Sequence, residues 1–311
     1  MNPYLEFVKG IQATVESARG MVASGAVDPV QSEQKVLLFS PHPDDEIITG
    51  LLPLRLMREL GMQIINVPVT FGSDPGRQVA RSEELKNACD YLGFQTLEKR
   101  IAPATRGAEI RRSRFQRLEK NDVVEILETV QPVAIVVPHS KDWNSRHIQT
   151  NHLVMDALAD MPSDFSCTVI ETEFWGAMDD PNLMVEADVE TLADLVAALS
   201  LHTGEVARNP YHLSLPAWMM DNVRRGGEVI AGQGGAVPDF TFATLYRVSC
   251  WKNGKLFQAL EPSLRQKATA GRPTASDFSA SRCKGDVFFQ TLEKRKFIGM
   301  NDNLKEMFEW K

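Results

Sequence analysis

The chain has 311 residues, 43% hydrophobic and 24% charged, with a formal net charge of -7. This is ordinary for a globular protein and excludes a fibre or a disordered chain. It also excludes a general nucleic-acid binder, whose affinity would rest on Lys and Arg facing phosphate, while leaving room for a local basic pocket.

Residues 4–24 carry apolar residues at helical spacing and predict an amphipathic helix, followed by a linker through residue 34. Residues 35–40 (KVLLFS) form a short apolar run ending in a turn, the pattern of a buried parallel strand. A helix is expected from Glu46 to Leu60, stopped by Gly61. A strand over 63–71 follows, then a helix over 77–92 stopped by Gly93. Next come a long charged helix around 108–129, a strand over 133–138, a helix over 147–159 and a strand over 167–174. Helices over 188–201 and 216–225 come after these, then a β-hairpin over 240–258 turning at Asn253-Gly254. Residues 262–285 are polar and carry no readable pattern.

Strands alternating with helices imply an α/β fold: a Rossmann-like, doubly wound, mostly parallel sheet with helices on both faces. The expected division is an N-terminal helix and linker (1–34), a catalytic core (35–205) and a C-terminal α+β extension (206–311) that completes the substrate pocket. Ligands in such sheets bind beyond the carboxyl ends of the strands. The places to look for chemistry are therefore after Ser40, Phe71 and Pro138.

Directly after the first strand stands Pro41-His42-Pro43-Asp44-Asp45-Glu46. His42 and Asp45 are three residues apart on a sharp loop, and this donor pair suits a divalent metal such as zinc. Asp44, pointing elsewhere, suits a general base for an activated water. Helix capping would account for the two aspartates but leaves His42 unexplained. A catalytic zinc keeps three protein ligands and an open position. After the 133–138 strand come His139, Asp142, Asn144, His147 and His152. Five residues turn a helix by about 500°, so His147 and His152 face different ways, and only one of them is a ligand.

These residues resemble the PIG-L/LmbE-like zinc de-N-acetylases. The family's HPDDE motif stands unchanged at 42–46, and its PHPxDWHPDH motif aligns with Pro138 to His147. The resemblance implies one Zn2+ per chain on His42, Asp45 and His147, with Asp44 as the base. It aligns Thr70, Gly72 and Gly76, then Arg81 and Glu84, with the family's TxGexG and RxxE. It thereby places Arg81 and Glu84, together with Asp142, at the substrate; the plainer alternative for Arg81 and Glu84 is a salt bridge on one helix face. His202 aligns with the histidine of the family's AxxxH helix and is a candidate proton donor. The chain departs from the family at Asn144 and Arg146, where many relatives have His and Asp. Asn144 keeps a hydrogen-bond donor for an oxyanion but cannot deliver a proton.

The implied activity is removal of an N-acetyl group from an amino sugar such as N-acetylglucosamine, or from its conjugate. Rival readings are an amidase on another N-acyl conjugate and a silent metal- or sugar-binding module. A nucleotide-binding protein is disfavoured, because no GxGxxG or GxxxxGK[ST] follows a strand. Trp143, Trp175 and Trp218 are candidates for sugar stacking, although packing is the commoner use of tryptophan. Cys89, Cys167, Cys250 and Cys283 form no CxxC pair, no secretion signal opens the chain, and no apolar run is long enough to span a membrane. A cytoplasmic protein without a disulfide framework is expected. Its partner is a small molecule rather than nucleic acid or membrane, and homo-oligomerisation is left open.

Overall fold

The structure is a computed structural model that describes residues 4–21, 32–97, 115–230, 238, 240–258 and 297–299. In chain order the first elements are α1 (Leu5–Ala18), β1 (Lys35–Ser40), α2 (Asp45–Ile48), α3 (Leu51–Leu60), β2 (Gln63–Pro68), α4 (Gln78–Leu92), β3 (Gln95–Thr96) and α5 (Lys120–Val130). They continue as β4 (Ala134–Pro138), α6 (Ser145–Ala159), β5 (Ser166–Thr172), β6 (Leu183–Ala187), α7 (Val189–Ser200) and α8 (Thr203–Arg208). A 3-10 turn at Tyr211–Leu213 precedes α9 (Leu215–Val229), β7 (Phe242–Lys252), β8 (Lys255–Gln258) and β9 (Phe297–Gly299).

The described strands form one sheet in the order β3-β2-β1-β4-β5-β7-β6-β9, with β8 paired to β7. The five strands from β3 to β5 are parallel. β7 runs antiparallel to β5 and extends the sheet into the C-terminal region. Alternate residues of β1 serve the two faces. Val36 and Leu38 pack with Ile47, Leu51 and Leu195 on one side. Leu37 and Phe39 pack with Ile126, Val154 and Leu158 on the other. Burial on both faces is why these strands read as unbroken apolar runs.

The strand order reverses between β1 and β4, and the carboxyl ends of these two strands frame a crevice. The loop after β1 and the start of α6 meet there, so the topology alone brings residues 42–45 to residues 142–147.

Gly61 and Gly93 close α3 and α4 in the left-handed conformation, as expected. Asn253 and Gly254, both with positive φ, turn the hairpin. The single helix expected over 46–60 is instead two. Pro53 has no N–H to donate to the carbonyl of Thr49, and its ring clashes with a continuous turn. Tyr246 Oη accepts the freed Leu52 N–H at 3.0 Å. Gly50 stands in the break, where an added Cβ would lie 2.6 Å from the carbonyl oxygen of Glu46. The charged helix expected from 108 begins at Lys120, behind a reciprocal cap between Glu119 and Asp122, and residues 98–114 lie outside the described part. β3, β6 and α8 had no counterpart among the expected elements. Apolar residues of α1 remain at the surface: Val8 is 59% exposed and Ile11 52%.

Among the described residues no helix is long and apolar enough to cross a membrane. Cys89 and Cys167 are buried free thiols, whereas Cys250 is disulfide-bonded.

Candidate active site

His42, Asp45 and His147 converge from two segments 100 residues apart, and one ligand atom of each lies within 4.8 Å of the others. The Asp45 carboxylate is the centre. Its Oδ2 lies 3.3 Å from His42 Nδ1 and 3.4 Å from His147 Nε2, and it accepts the His42 backbone N–H at 2.9 Å. His147 is oriented from behind, with Nδ1 3.2 Å from Asp142 Oδ2. Asp142 is itself fixed, because its Oδ1 accepts the Asn144 backbone N–H at 2.7 Å.

Burial alone would lower the His147 pKa, but the neighbouring Asp45 and Asp142 carboxylates outweigh it and raise it to about 10. Burial would raise Asp45, yet the two histidines hold it far below the usual carboxylate range. The buried His147 Nε2 has no hydrogen-bond partner. A ring nitrogen stranded beside a carboxylate and a second imidazole is a donor set without its acceptor, and a divalent cation fits it.

Asp44 sits beside this trio but is held by other partners. Its backbone is at φ 123°, ψ -33°, a conformation that non-glycine residues rarely adopt, and its side chain makes no capping bond to α2. Two contacts hold it. Glu46 Oε2 accepts the Asp44 N–H at 2.8 Å, and Tyr211 Oη donates to Asp44 Oδ2 at 2.7 Å. Arg81 Nη2 stands 3.9 Å from the same Oδ2 and donates to the Pro43 carbonyl at 3.1 Å. Burial, then the Asp45 charge, push the Asp44 pKa up to about 7, against the lowering effect of His202 and Tyr211.

The remaining expected site residues occupy other places. Glu84 accepts from the Thr203 hydroxyl at 3.1 Å and the Gly204 N–H at 2.9 Å, so it is turned to the start of α8. Asp142 is spent on His147 and Asn144. Asn144 caps α6, its Oδ1 accepting the Arg146 N–H at 3.0 Å. His202 is fully buried, with Nε2 2.8 Å from Glu46 Oε1, and has no exposed surface to offer a ligand. His152 is exposed on α6 and is not one of the trio.

Three residues outside the expected set matter here. Glu46 stood in the motif without a role. Tyr211 lies in a region without a readable motif, and only the tertiary contact reveals it. Phe174, after β5, lines a small pocket with Asp45, Asp142, His147 and Thr172. From Phe174 an aromatic arc runs outward. Phe174 meets Trp175 and Trp218 edge-on at 4.7 and 5.1 Å, and Trp175 meets Tyr211 at 6.3 Å and Trp143 at 6.0 Å. Trp143, at the outer end, is 69% exposed.

Residues 37–158 match the family model described as PIG-L, GlcNAc-PI de-N-acetylase. The match covers the core of the chain, which is thus similar to the PIG-L family over that stretch. The matched segment carries the metal-type trio, Asp44, Asp142 and Asn144, whereas His202 and Tyr211 reach the site from beyond it. No curated protein matches the chain. Solved structures do. GalB, the 4-carboxy-2-hydroxymuconate hydratase from Pseudomonas putida KT2440, is 17% identical over 69% of this chain and 95% of its own, with a TM-score of 0.50. A triple-mutant deacetylase of the teicoplanin biosynthetic pathway is 14% identical over 70% and 98%, with a TM-score of 0.50. The N,N'-diacetylchitobiose deacetylase of Pyrococcus horikoshii is 16% identical over 80% and 93%, with a TM-score of 0.48. At these identities the likeness is one of fold.

Proposed function

We propose that this chain is a zinc-dependent hydrolase that removes an N-acetyl group from an amino sugar or sugar conjugate. The observation that carries the reading is the pairing of a His-Asp-His trio with a separate buried carboxylate, Asp44, that Tyr211 holds beside it. The fold by itself does not choose the reaction, since a hydratase shares it.

Zinc held by His42, Asp45 and His147 would act as a Lewis acid, polarising the amide carbonyl and making water a nucleophile near neutral pH. Asp44 accepts the proton of the attacking water and returns it to the departing nitrogen, giving acetate and a free amine. Tyr211 and Glu46 hold Asp44 for that work. Asp142 keeps the His147 ring oriented. Asn144, with its oxygen committed to the helix cap, retains its amide N–H2 as a donor to the tetrahedral oxyanion. His202 is a positioning residue behind Glu46, and proton return falls to Asp44. Arg81 supports Asp44 from the side, and the Glu84 contact ties α4 to α8. The region after 205 completes the pocket through Tyr211, and the aromatic arc offers ring faces to a sugar.

Metal content of the purified protein, together with acetate release from a panel of N-acetyl sugars with and without chelator, tests this. About one zinc per chain and chelator-sensitive acetate release are expected. Release of a larger acid would move the reading to an amidase. Failure to take up any metal on titration would overturn it.

A further inference from the structure

Arg117 and Arg146 meet at one neutral atom. Arg117 Nη1 donates to Gln149 Oε1 at 3.0 Å, and Arg146 Nη1 donates to the same oxygen at 3.1 Å. Neither guanidinium has a carboxylate partner among the described residues. Two like charges that share a single uncharged acceptor repel each other, and the Arg117 pKa is lowered by burial and then by the Arg146 charge. Arginine normally resolves this situation with a forked contact to an oxyanion.

The location gives the pair a meaning. Arg146 is the second residue of α6, immediately before His147, at a helix end that already carries partial positive charge. Leu118, next to Arg117, donates its N–H to the Val69 carbonyl at 3.1 Å, which places Arg117 just beyond the carboxyl end of β2. Both arginines therefore stand on the ligand-binding edge of the sheet. Arg146 also occupies a position where the resembled family has an acidic residue.

We propose that Arg117 and Arg146 form an anion subsite, and that the substrate is an N-acylated compound bearing a phosphate or carboxylate group. The substrate class rests on the hydrolase reading above; the anion subsite does not. An overall charge of -7 makes this local pair the means by which an acidic protein receives an anionic molecule.

The test uses the full zinc-loaded chain and the double variant Arg117→Gln/Arg146→Gln. Acetate release is compared for N-acetylglucosamine, its 6-phosphate and N-acetylmuramic acid, the last two separating phosphate from carboxylate. One of the anionic sugars is expected to exceed the neutral one at least tenfold in kcat/KM, mainly through KM. The double variant should erase that preference and leave the neutral sugar unchanged. Inorganic phosphate binding, followed by calorimetry, gives a readout without turnover and should weaken at least tenfold in the variant. Equal phosphate affinity in both proteins would mean that phosphate sits elsewhere, and would overturn the subsite. Loss of phosphate affinity in the variant, with no acetate from any sugar, would keep the subsite and remove the deacetylase reading.

Discussion

At the scale of single residues, Asp44 bears the most chemistry and the most strain. Its carboxylate is buried and its backbone lies in a region that favours glycine, so the contacts from Glu46 and Tyr211 are what keep it in place. Asp44→Asn should lower kcat by about 10²–10⁴-fold, the usual range for losing a general base, while zinc content measured by atomic absorption stays at the wild-type level. Tyr211→Phe removes a charge-assisted hydrogen bond and should lower kcat by about tenfold or more, with KM nearly unchanged in steady-state assays. His147 predicts a proton balance. With its pKa raised to about 10, the metal-free ring is protonated at neutral pH and must lose that proton to ligate a cation. Zinc binding at pH 7.5 should release about one proton from this ring, read by calorimetry in buffers of different ionisation enthalpy. A buffer-independent heat would contradict this. The same shift has a sign for stability. In metal-free protein the His147 contribution is complete below pH ~6.5 and is lost as pH rises through about 10.

At the scale of elements, the break between α2 and α3 shapes the site. Pro53 forbids a continuous helix, Tyr246 from β7 satisfies the freed N–H, and α2 is left as a short turn able to carry Asp44 and Asp45 in different directions. The end of α7 is tied to α2 through the fully buried pair of His202 and Glu46. His202→Ala would leave Glu46 buried without its partner, and a loss of about 3–5 kcal/mol is expected in chemical denaturation. An unchanged midpoint would mean that water replaces the imidazole at no cost. A motif scan gives Glu46 only its place in HPDDE. Its function depends on a histidine 156 residues away, a separation that no local pattern reports.

At the scale of the whole molecule, the sheet is a parallel five-stranded unit to which the C-terminal region adds antiparallel strands. The metal-type trio draws on segments that only the sheet brings together, so metal and fold should be coupled. Zinc at about a thousand times its dissociation constant should stabilise the protein by about 4 kcal/mol, seen as a fall in Tm on adding chelator. Four of the five parallel strands were legible because they are buried on both faces and alternate with helices that end at glycine stops, signals that lie within a few residues of each other; β3, two residues long and partly exposed, carried no such signal. β6 was not legible either, because its five residues gain their hydrogen bonds from β7, far along the chain.

The sequence by itself determined the α/β class, the HPDDE loop at a strand end and the candidate donors His42 and Asp45, because residue type and spacing are local properties; the family resemblance, not spacing, singled out His147 over His152. Tertiary structure paired His202 with Glu46, turned Glu84 to the start of α8, committed Asn144 to a cap, brought Tyr211 to Asp44, and set Arg117 beside Arg146. Each of these is a contact between distant segments, fixed by how buried polar groups find partners once the sheet has closed around them.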